Sequence, residues 1–136
     1  MVQYEDIKEL SDEISEMYKT LQDNDADTAF YIMKESSLLL PSFEELSHEL
    51  LKLLSNLEKT AKATQAKVSR ESSSKVLSDP AVLDVWKNHA DVQYKQRLVQ
   101  TQIDFLKRIY FDCKLVYENV CRQNRSVIGE KLVGRA

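Results

Sequence analysis

At 136 residues and 15.8 kDa the chain has the length of one modest domain. Its two glycines and two prolines fall far below ordinary usage of about 7% and 5%, which argues against a turn-rich sheet fold and against a phosphate-cradling glycine loop. With 43% hydrophobic and 30% charged residues the chain is not disordered by composition, and its net charge of −3 is unevenly placed. Residues 1–27 hold nine acids against Lys8 and Lys19, whereas residues 107–136 hold seven bases against three acids.

The fold class this predicts is all-α, an elongated coiled-coil-like bundle of three long helices plus one short one, in a single helical domain covering 1–136. A first helix is expected over about 2–22. Ile7, Leu10, Ile14, Met17 and Leu21 follow 3-4-3-4 spacing, a seam with acids on the outer face. The polar run DNDAD interrupts it. Asp27 is a candidate cap for a short second helix over 28–40, with Ala29, Phe30, Met33 and Leu40 as its stripe.

Pro41 is expected to stop that segment. Ser42 with Glu45 three residues later is a capping box for a third helix over 42–71, whose face carries Phe43, Leu46, Leu50, Leu53, Leu57, Ala61 and Val68. The run SRESSSK gives a hinge over 72–78, with Ser72, Ser73 and Ser74 as exposed hydroxyls.

Ser78-Asp79-Pro80 opens the last helix, expected over 79–127, with a cap residue before a proline in the first turn. Val85, Val92, Val99, Leu106, Cys113, Val120 and Val127 recur every seven residues without a break. Lys95, Gln96 and Gln102 interrupt the companion seam, and the two glutamines read as register-setting polar positions. As one helix, residues 80–127 span ~70 Å against ~45 Å for 42–71. The last helix therefore overshoots its hairpin neighbour from about residue 110. The segment FLKRIYFDCKLVYENVC needs cover from the first two helices or from another chain. Phe111 and Leu115, opposite the main stripe and edged by Arg108 and Arg122, form a candidate partner patch.

Sites for chemistry are few. Cys113 and Cys121 lie ~12 Å apart along one helix, beyond disulfide reach, and fit a reducing, cytoplasmic or nuclear setting. The N-terminus lacks a signal-peptide pattern, and no apolar run approaches membrane-spanning length. His48 and His89 fall on different helices, outward of the stripes. Glu45 with His48 is one Glu-x-x-His step, whereas a di-iron bundle uses two. No catalytic residue, metal site or cofactor is expected. Nucleic-acid binding is disfavoured for want of a basic run interleaved with aromatics.

The functional expectation is a non-enzymatic subunit or adaptor that packs heptad seams against other helical proteins, with a hetero-oligomeric complex ranked first. In general style it looks like the small helical subunits of tethering, kinetochore, cytoskeletal or transcription-coactivator complexes. The alternatives are a self-sufficient monomeric or homodimeric adaptor, a membrane-surface or lipid-associated bundle, and a small helical metal protein or enzyme.

Overall fold

The computed structural model describes residues 3–71, 76 and 79–133, with side chains in the last helix through Arg125. Three helices account for nearly all of them: α1 (Tyr4–Lys19), α2 (Ala26–Glu71) and α3 (Pro80–Val133), and no strand occurs among the described residues. The expected hinge at 72–78, apart from Val76, lies outside the described residues, as does the side chain of Val127.

The expectation of four helices is corrected to three because α2 runs straight through Pro41. Its start is capped by Asp25 and not Asp27. The Asp25 Oδ1 accepts a hydrogen bond from the Thr28 backbone N–H at 3.0 Å, and hydrogen bonding by the Thr28 side chain first and its backbone N–H second holds the carboxyl below its ordinary value. Past the cap, Ala29, Ile32, Ser36, Leu39 and Phe43 are buried at 3-4-3-4 spacing. That seam crosses Pro41 without a change of phase. Pro41 itself is exposed. It removes one N–H from the helix ladder, at a cost of about 3 kcal/mol. Burying Ile32, Leu39 and Phe43 is worth roughly 1.5–3 kcal/mol apiece, so the seam wins. Ser42 and Glu45 are consequently mid-helix residues, and their capping-box spacing is coincidental. The expected stripe is also displaced: Ala29 is buried, but Phe30 is exposed and Met33 and Leu40 are half-buried.

The Asp79-Pro80 signal is realised. The Asp79 Oδ1 accepts from the Ala81 N–H at 2.9 Å, and α3 begins at Pro80. At the other junction α1 ends at Lys19, where the Thr20 hydroxyl donates to the Met17 carbonyl at 3.2 Å.

The chain forms two compact units, Met1–Phe43 with Gln102–Ala136, and Glu44–Thr101. The first is a three-helix bundle. The Tyr4 ring meets Phe43 edge-on at 6.4 Å, which sets α1 antiparallel to α2. Ser11 bonds Gln102 and Tyr18 bonds Asp112, which sets α1 parallel to α3. The Phe30 and Tyr117 rings, 5.6 Å apart, complete the arrangement. The core holds Ile7, Ile14, Ile32, Leu39, Phe43, Leu106, Ile109 and Cys113. The aromatic end of α3 is thus covered by α1 and the first half of α2, which is the first of the two covers expected from the sequence.

The second unit is an antiparallel hairpin of α2 and α3, with the Gln96 Nε2 donating to the Ser47 hydroxyl at 3.4 Å. Two helices offer each other one face only. Ala61, Val82 and Val99 are buried, while Leu51, Leu53, Leu83 and Tyr94 are exposed.

Candidate interaction surface

The seam residues read from sequence separate into three groups. Ile7, Ile14, Val99, Leu106 and Cys113 are buried. Met17, Leu21, Leu46, Leu50, Leu57, Val85, Val92 and Val120 are half-buried. Leu10 and Leu53 are exposed, a correction with a clear cause in α1. There the inward phase is Tyr4, Ile7, Ser11, Ile14 and Tyr18, so that Ser11 takes the place expected for Leu10. Polar residues hold that seam because they are answered across it. The Ser11 hydroxyl donates to the Gln102 Oε1 at 2.8 Å, and the Tyr18 hydroxyl donates to the Asp112 Oδ2 at 2.6 Å. This bond, followed by burial and the Asp112 charge, pushes the Tyr18 phenol above its ordinary value.

Displacing Leu10 outward opens a groove between α1 and α2. It encloses about 230 Å³ over Ile7, Ile14 and Leu39, with Leu10, Tyr31 and Leu38 at its mouth and Glu13 and Glu35 on its rims. A second groove of about 380 Å³ lies on the other side of α2, against α3. It is lined by Ser36, Leu40, Pro41, Leu106, Lys107, Tyr110 and Phe111, among others. At 100° per residue, Lys34 and Pro41 point away from the buried side of α2. Phe30 lies on the flank toward α3, and Tyr31 and Leu38 on the flank toward α1.

Phe111 is 61% exposed and Leu115 is 49% exposed. Their expected basic edges are rearranged. The Arg108 guanidinium lies 5.7 Å from the Phe105 ring centre, on another side of the helix, and Arg122 lies 3.9 Å from Glu118. The cation beside Phe111 is Lys114, whose ammonium is 5.9 Å from the ring centre. The exposed residues Phe30, Tyr31 and Leu38 were not foreseen as a surface. Their signal is present in the sequence nonetheless: the run AFYIMKESSLLLP places apolar side chains on every side of a helix.

Cys113 is buried, and burial followed by the neighbouring Asp112 charge pushes its thiol up to about 11. Cys121 is half-buried and free. His48 is exposed, whereas His89, expected outward, is half-buried with its ring edge-on to Trp86 at 5.3 Å. Among the described residues no three His, Cys, Asp or Glu side chains are grouped to hold a metal ion, and no helix is long and apolar enough to cross a membrane. Comparison of the chain with protein-family models, curated proteins and solved structures gives no match.

Proposed function

We propose that the chain is a non-enzymatic helical subunit or adaptor, and that it assembles with other helices through the outward face of α2. The observation that carries this reading is the apolar girth of α2 between residues 29 and 41. Its inward side buries Ala29, Ile32 and Leu39, while Phe30, Tyr31 and Leu38 on the outward side remain 52%, 48% and 64% exposed. A helix with large apolar side chains on its outward side as well as its inward one is suited to packing between neighbours on both sides. The two flanking grooves extend the same face, and aromatic residues are the side chains that anchor interfaces. The buried, protonated Cys113 serves packing and not nucleophilic chemistry. Two free thiols suit a reducing, cytoplasmic or nuclear setting.

The test is the native size of the tagged chain in extracts of cells that make it, beside Phe30→Ser with Leu38→Ser. The native chain should elute well above its own 15.8 kDa, and the double variant should fall to monomer mass with unchanged helicity. Elution of both as monomers would refute the reading.

A further inference from the structure

The two grooves flanking α2 differ in charge and share one level along the helix. The α1–α2 groove is lined by α2 residues from Tyr31 to Ser42, and its rims carry Glu13 and Glu35. The α2–α3 groove is lined by Ser36 to Pro41, with Lys107 on its wall and Lys114 beside the Phe111 ring that edges it. Glu118, further along α3, has Arg122 3.9 Å away. An acidic apolar groove and a basic apolar groove thus flank one ridge of α2, where Phe30, Leu38 and Pro41 surround the exposed Lys34.

We propose that the occupant of this face is a second copy of the same chain, joined as a parallel two-fold dimer whose axis runs along α2. This rests on the assembly reading above and names its partner. The symmetry follows from the charges. A two-fold axis along α2 lays each copy's acidic groove against the other's basic groove, twice over. A two-fold axis across α2 lays acidic on acidic and basic on basic, which like-charge contact disfavours. Lys34, exposed at the centre of the ridge, then meets its own counterpart. Its four-carbon stem lies along the apolar side chains around it and carries the ammonium toward the acidic rim of the facing copy.

Charge reversal tests this in a form that a general loss of stability cannot imitate. Light scattering on the purified full chain should give twice 15.8 kDa. Glu13→Lys with Glu35→Lys places bases in both facing pairs, and Lys107→Glu with Lys114→Glu places acids there. Each double variant alone should dissociate roughly 100-fold more readily. An equimolar mixture of the two should restore a dimer that contains one of each. In case a reversal unfolds the bundle, a second variant reads the geometry directly. Lys34→Cys on a Cys121→Ser background should form a disulfide-linked dimer on mild oxidation, because a parallel axis brings residue 34 opposite itself.

A purified chain that stays monomeric at every concentration overturns the second copy as partner. So does a dimer indifferent to both reversals, or one that fails to cross-link at position 34. The assembly reading survives any of these if the chain still runs large in extracts and falls on Phe30 and Leu38 substitution.

Discussion

The Ser11 hydroxyl donates to the Gln102 side-chain carbonyl at 2.8 Å, pinning α1 to α3 at one register. Both residues lie in seams where apolar side chains would pack as well or better. A polar pair inside a helical seam selects one alignment at some cost in stability. Ser11→Ala leaves the Gln102 oxygen without that donor and should destabilise the chain by about 1–2 kcal/mol in urea unfolding. Ser36 provides the internal contrast. It is equally buried, yet its hydroxyl has no hydrogen-bond partner among the described residues. Ser36→Ala should therefore be neutral or stabilise by up to about 1 kcal/mol. Equal effects of the two substitutions would show that hydroxyl pairing does not distinguish these sites.

Pro41 interrupts the hydrogen-bond ladder of α2 without interrupting its seam. Alanine there restores the missing donor and raises helix propensity. Pro41→Ala should stabilise the chain, by at most about 3 kcal/mol, seen as a higher midpoint in thermal melts. A lower midpoint would mean that the helix geometry imposed by proline is itself required for packing α2 against its neighbours.

Most of the helical content was legible in the sequence, and the reasons for the failures are specific. The seven-residue recurrence from Val85 to Val120 marked α3 correctly because heptad spacing survives any choice of neighbour. The division at Pro41 failed because proline, a local signal, was weighed above the phase of Ala29, Ile32, Ser36, Leu39 and Phe43, which extends beyond it. The choice of Leu10 over Ser11 failed for a related reason. Hydrophobicity alone cannot show that Gln102, 91 residues away, will answer a buried hydroxyl. The outward face of α2 was missed because one stripe was sought in a segment that carries two.

Val99 is buried in the hairpin unit at 1% exposure and lies at the centre of the α3 heptads. A carboxylate introduced there would be taken out of water without a designed partner. Val99→Asp should destabilise by more than about 3 kcal/mol, reading as lost helicity or as a collapse of the melting transition. An unchanged melting temperature would show that residue 99 faces solvent and that the α3 register is wrong.

Cys113 links burial to pH. Its thiol is raised from an ordinary 9.0 to about 11 by burial first and by the Asp112 charge second. Above pH 9 the unfolded chain loses this proton while the folded chain retains it, so the folded state binds more protons and stability falls as pH rises. The contribution is complete below pH 9 and disappears by about pH 11. A rise of that size is worth at most about 2–3 kcal/mol. Tyr18, raised in the same direction by its bond to Asp112, adds to the loss above pH 10. Urea midpoints measured from about pH 8 to 11 should decline for the native chain and more shallowly for Cys113→Ala, compared as slopes because the alanine also leaves a small cavity. At about pH 8 a thiol reagent should modify the half-buried Cys121 well before Cys113. Equal labelling of the two in the folded chain would place Cys113 at the surface and remove it from the core.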